Sequence, residues 1–174
     1  MRVLTVVGLA LVGSVGTLQA QHAHQVEFGG FGTYTRWDPV IAFNSHAGGG
    51  VRLGYFLNEY FGLEAALDMA SPFNTAGNGT NMTQGTFNLA INSGGEHNIL
   101  YVLGGYTRYR QGGYSPYIWL NSVHGAVGDR IFFGSHVALR LEGGVYYSLT
   151  AQPGSTKNPL NYQGSAGLSF FLGG

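Results

Sequence analysis

The chain has 174 residues, of which 44% are hydrophobic, 14% aromatic and 9% charged, with 30 glycines and no cysteine. Charge that sparse, against roughly 25% in ordinary soluble domains, argues against a solvated coat, while the apolar and aromatic content argues against disorder. Eight basic and eight acidic side chains cancel, so there is no electrostatic footprint for nucleic acid, and the missing cysteines exclude thiol chemistry and cysteine zinc sites.

The first segment, Met1-Arg2 followed by small and apolar residues to Gly16 and then Thr17-Leu18-Gln19-Ala20, has the layout of a secretory signal peptide. It is too short and glycine-rich to be a membrane anchor, which needs roughly 20 apolar residues. Residues 1–20 are therefore expected to be removed, leaving 21–174 as one domain. His22-Ala23-His24 then supplies two imidazoles, too few for a structural metal site, and reads as an uncoordinated tail. No later apolar run is long enough for a helical span, so any membrane insertion must use strands.

Strands betray themselves by alternation, because successive side chains point to opposite faces. From Phe61 to Met69 the odd positions are Phe61, Leu63, Ala65, Leu67 and Met69, and the even ones Gly62, Glu64, Ala66 and Asp68. Val137 to Tyr147 and Asn161 to Leu172 repeat the pattern. Weaker versions span Val26 to Arg36, Ala47 to Leu57, Thr83 to Asn92, Ile99 to Arg110 and Tyr117 to Phe133. A helical reading of these stretches would scatter glycines through every helix at about 1 kcal/mol each.

The connections Asn58 to Tyr60, Ser93 to Asn98 and Gly134 to His136 are short. Trp37 to His46, Ala70 to Met82, Gln111 to Pro116 and Thr150 to Leu160 are mostly longer. Eight strands of about ten residues, with short turns on one side and longer loops on the other, predict an all-β fold, an eight-stranded antiparallel up-and-down transmembrane β-barrel. A faint repeat sets Gly54 to Glu64 beside Arg130 to Arg140, so that the two segments behave as matching hairpins. The triplets Asn78-Gly79-Thr80 and Asn81-Met82-Thr83 match a glycosylation pattern but read as a polar loop.

Several pieces together resemble the OmpA/OmpX-like outer-membrane β-barrel domain. They are Val26 to Tyr34, Gly49 to Phe56, Leu63-Glu64, Val137 to Gly143 and the ending Gly164 to Phe171. The resemblance spans nearly all of residues 21–174 and implies a Gram-negative outer membrane, with both termini in the periplasm. It further implies lipopolysaccharide among the surrounding lipids, barrel-insertion machinery during assembly, a monomer, and no cofactor. Some relatives continue into a peptidoglycan-binding domain; this chain stops at Gly174, so anchoring to the cell wall is not implied.

Eight strands enclose just enough room for the side chains that line them. Parity places Glu27, Arg52, Glu64, Asp68, Arg130, Arg140 and Glu142 inside, where unpaired burial would be costly and a connected salt-bridge network is expected. Phe31, Phe56 and Tyr146 share that face. Outward glycines (Gly30, Gly32, Gly104, Gly143, Gly164) are expected to relieve crowding, and Tyr34, Tyr55, Tyr106, Tyr147 and Tyr162 to form interfacial girdles. Arg36, Arg108 and Arg110 point outward at the outer rim, either toward lipopolysaccharide phosphates or as solvated loop charges. Asp129 points outward near a short turn and breaks the apolar pattern.

The expected role is non-enzymatic: envelope structure together with whatever the loops at Trp37 to His46 and Ala70 to Met82 contact. A small pore, gated through the inner charges, is the alternative. A lipid A hydrolase is a third reading, since Ser122 and His124 share a face and Ser135-His136 and Glu142 supply the remaining types. Against it, the order of serine and histidine is reversed from that family, and no strand supplies a clear orienting carboxylate.

Overall fold

The computed structural model describes residues 23–173, apart from 75, 76, 78, 94, 96, 113–117 and 152–154. The expected signal peptide, His22, Asn78 and the expected strand start at Tyr117 lie outside the described residues. Eight strands follow in chain order: β1 (Val26–Arg36), β2 (His46–Phe56), β3 (Phe61–Ala70), β4 (Met82–Asn92), β5 (Asn98–Gln111), β6 (Ile118–Phe132), β7 (Val137–Ser148) and β8 (Leu160–Leu172). Each pairs antiparallel with its neighbours, and β1 pairs with β8 from Val26↔Leu172 to Arg36↔Tyr162, closing the barrel. Closure leaves no unpaired edge, which is what a sheet in hydrocarbon requires.

The period-two pattern has the expected physical outcome. Inward side chains such as Glu27, Arg52, Arg130 and Arg140 are buried, while Val51, Leu53, Leu67, Met69, Phe87, Leu89, Val127 and Leu168 are exposed on the outer wall. That wall is apolar because its solvent is lipid. No helix among the described residues is long and apolar enough to cross a membrane. Tyr34, Tyr106, Tyr147 and Tyr162 ring the long-loop end, and Tyr55 lies with Phe28 and Phe170 near the short turns. Phe28 and Phe170, a cross-strand pair, stack at 5.3 Å.

The two repeated segments are the β2–β3 and β6–β7 hairpins. Their turns close alike: the Leu57 amide donates to the Phe61 carbonyl at 2.9 Å, and the Phe133 amide to the Val137 carbonyl at 2.9 Å. The first turn is fixed by Asn58 Oδ1, which accepts from the amides of Tyr60 and Phe61. The second holds Gly134 at φ 132°, which a side chain rarely adopts.

The expectation about glycine is corrected. A Cβ added at the outward Gly143 or Gly164 would meet nothing within 4 Å, and at Gly30, Gly32 or Gly104 nothing nearer than 3.8 Å. Crowding is inside: at the inward Gly50 a Cβ would lie 2.2 Å from the Leu67 carbonyl oxygen, and at Gly167 2.3 Å from that of Gly30. Inward positions converge on the lumen axis and outward ones diverge, so the tight side of a small barrel is its interior.

Candidate functional site

The lumen is stacked in layers. At the short-turn end Phe56, Ile99, Phe132, Ala138 and Phe171 form an apolar plug. Phe171 stacks on Phe56 and packs against a tilted Phe132, with ring centroids 6.1 and 4.9 Å away.

Above it lies an ionic layer of three arginines and three glutamates. Arg140 is its hub: it pairs with Glu27 at 3.1 Å, with Glu142 at 2.8 Å and with Glu64. Arg130 pairs with Glu27 at 3.2 Å and donates to Asn92 at 2.7 Å. Arg52 stands off Glu142 at 3.7 Å and Glu64 at 4.0 Å, and lies 4.3 Å above the centre of the Phe31 ring. Tyr101 donates to Glu142 at 2.7 Å and accepts from Arg140 Nε at 2.6 Å, while the guanidiniums of Arg130 and Arg140 lie over its ring. Ser169 and Asn88 donate to Glu27 and Glu64. Equal numbers of opposite charges, most of them pinned by further hydrogen bonds and Arg52 by the Phe31 ring, make burial tolerable.

The repeat explains how the hub closes. Glu64 and Arg140 occupy equivalent positions in the two hairpins, and β3 and β7 stand four strands apart around the barrel. Equivalent inward positions therefore face each other across the lumen, and the sequence has placed opposite charges there.

Asp68 is not part of this layer, which corrects the expected seven-membered network. It forms no ion pair among the described residues. Its Oδ2 instead accepts from the side-chain amides of Gln84 and Gln163, both at 3.2 Å. Gln163 also donates to Thr35 and accepts from Tyr146. Asp68 sits one inward position nearer the long loops than Ala66 and two beyond Glu64, out of reach of the arginines clustered lower down.

The long-loop end is closed by a second apolar plug of Trp37, Ile41, Met82, Tyr109, Leu120 and Tyr146, with Phe43 and Ile118 against it. Trp37 to His46, expected from the sequence as a contact loop, therefore turns part of its length into the barrel mouth. A 3-10 turn at Pro39–Ile41 folds it inward. Asp38 caps the turn, accepting from the Val40 amide at 2.9 Å and from the Leu160 amide at 3.0 Å, while its own amide donates to Asn161. Trp37 and Ile41 thereby become a lid. Apolar residues behind an Asp-Pro cap were the available signal. Tyr101, Asn88, Asn92, Gln84 and Gln163 were also passed over, although all lie at inward parity and polarity was the cue.

Arg36, Arg108 and Arg110 are exposed near the long-loop ends. The structure brings only two of them together: Arg108 and Arg110 share β5, with Arg108 4.5 Å over the Trp119 ring, whereas Arg36 is on β1, four strands away. Ser122 and His124 do face one way, into the lumen. Ser122 is fully buried, and His124 Nδ1 bonds Thr107 at 3.1 Å while its ring stacks on Tyr146 at 4.6 Å. Ser135 and His136 bond each other at 2.6 Å on an exposed turn, and Glu142 is engaged by Arg140 and Tyr101. His24 bonds the Tyr55 hydroxyl. No group of three or more metal-ligating side chains occurs among the described residues.

No family model matches the sequence, and no curated protein matches it. Solved structures do. The N-terminal β-barrel domain of Pseudomonas aeruginosa OprF covers 87% of this chain and 100% of its own, at 19% identity and a TM-score of 0.59. The outer-membrane protein OprG of the same organism covers 91% and 100%, at 10% identity and a TM-score of 0.62. Neisserial surface protein A covers 84% and 95%, at 11% identity and a TM-score of 0.65. The fold is that of the small outer-membrane β-barrels. At such identities the likeness is one of architecture, and it supports the OmpA/OmpX-like barrel expected from the strand motifs.

Proposed function

We propose that the chain is exported, loses residues 1–20, and serves as a non-enzymatic integral protein of a Gram-negative outer membrane. The barrel body contributes to envelope structure, and the outer loops make its contacts. The observation that carries this reading is a lumen filled from plug to plug within an apolar outer wall. A sealed interior provides no water-filled path, and a fully buried Ser122 has no access to an ester in the surrounding lipid. Both termini of the barrel lie at the short-turn end, and in this reading that end faces the periplasm. The protein works as a monomer, inserted by the barrel-assembly machinery, without cofactor or nucleic acid. Arg108 and Arg110, with Arg36 on the far side, meet lipopolysaccharide phosphates.

In planar bilayers the purified protein is expected to give no stable, large conductance, because porin-sized currents need barrels of about 16–18 strands. Steady ohmic currents would move the pore reading into first place. A tag inserted at Gly77 is expected to be reached by antibody on intact cells, whereas one following Gly174 is not. The reverse result would invert the orientation.

A further inference from the structure

A cleft of about 1090 Å³ in all winds over the outer wall from Ala47 and Gly48 on β2, through β1, β8, β7, β6 and β5, to Ser93 just beyond β4. Its floor follows one hydrogen-bonded row across the strands, with Thr33, Ser165, Glu142, Gly128, Tyr101 and Asn92 in register. These side chains point inward, so the floor is backbone. The walls are low because Gly32, Ala166, Gly164 and Gly143 stand where bulky residues stand elsewhere, and the space beside Gly143 and Gly164 is open. Because strands of such barrels tilt about 35–45°, a row across them climbs the wall. It passes from Ala47 and Tyr34 near the long-loop end, by Asp129, to Ser93 beside the short turns.

Asp129 is the outward-facing acid among the described strand residues. It stands between Leu100 and Leu141 in register and forms no ion pair among the described residues, although the Arg130 amide helps hold it. An ionised group on the lipid face of a barrel is costly toward the midplane and is retained where a partner is at hand. A second copy of the chain lying alongside in the same orientation does not supply one. Its outward arginines, Arg36, Arg108 and Arg110, all lie near the opposite end of their strands.

We propose that the stretch of this cleft on β6, β7 and β8 seats an aminophospholipid of the leaflet beside the short turns, with its primary ammonium on Asp129 and its acyl chains over Gly143 and Gly164. The proposal rests on the reading that the barrel spans a membrane. A primary ammonium carries three N–H donors for the carboxylate, which a quaternary choline lacks and an anionic glycerol headgroup replaces with repulsion.

The test is native mass spectrometry of the refolded protein with phosphatidylethanolamine, phosphatidylcholine and phosphatidylglycerol in equal amounts. Each protein is first required to show the gel shift on boiling that marks a closed barrel. Failure of the wild type at that step would sink the barrel reading rather than the lipid site. The wild type is expected to retain the ethanolamine lipid at least about tenfold over either competitor. Asp129→Asn should bring that preference within about twofold while total lipid bound stays level. Gly164→Leu should lower retention of all three lipids; should it lose the gel shift, Gly143→Ala takes its place, since its methyl has open space. Equal retention of ethanolamine and choline lipids by the wild type, or an undiminished preference in Asp129→Asn, would overturn the proposal.

Discussion

The half of the lumen beside the short turns and the half beneath the long loops both bury polar side chains, but by different means. In the first, three arginines and three glutamates cancel, and each carboxylate touches more than one donor. In the second, a single carboxylate, Asp68, is held by two glutamine amides across a wall thinned by Gly48 and Gly50. The ionic half depends on charge balance, so losing one member strands the others. The amide half depends on volume, because its contacts are neutral donors packed against backbone. A buried ion pair and a buried amide cluster thus solve the same desolvation problem with different vulnerabilities.

Breaking the ionic half should have the largest effect. Arg140→Ala leaves Glu27, Glu64 and Glu142 facing one another with less compensation and is expected to lower stability by about 3–5 kcal/mol, read from urea unfolding in detergent or vesicles. A loss below about 1 kcal/mol would mean that the hub carries no net charge-balancing role. Next comes a steric break in the amide half. Gly50→Ala forces a methyl against the Leu67 carbonyl and the Asp68 backbone and should cost about 1–3 kcal/mol, whereas Gly164→Ala, with open space around it, should stay within about 0.5 kcal/mol.

The comparison sharpens at Asp68 itself. Asp68→Asn keeps an oxygen to accept from Gln84 and Gln163 and should change stability by no more than about 1 kcal/mol in the same unfolding assay. A cost equal to that of Arg140→Ala would place Asp68 in the charge-balanced network after all. The smallest effect is expected at Lys157→Ala, an exposed position between β7 and β8, within about 0.5 kcal/mol. Equal sensitivity at Lys157 and Arg140 would contradict the division between lumen and loop.

Much of this was legible because the alternation of a strand is local. Whether Glu64 or Leu63 faces inward depends on neighbours one and two residues away, so all seven inward charges and the five outward tyrosines could be placed from spacing alone, and strand ends fell within a residue or so. The pairings were not local. Glu64 meets Arg140 because closure sets β3 opposite β7, and Asp68 drops out because four more residues along the strand carry it past the arginines. The lid at Pro39–Ile41 escaped notice because loops carry no period, and only the long-range bond from the Leu160 amide to Asp38 holds it over the lumen.

Sequence by itself determined the strand count, the face each side chain takes and the apolar wall, since these follow from a two-residue period and from a composition too poor in charge for water. Tertiary structure decided which charges cancel, which glycines are crowded and where Asp129 meets the cleft. Those outcomes depend on the curvature and register of the closed sheet, which bring together residues more than a hundred positions apart, such as Glu27 and Arg140.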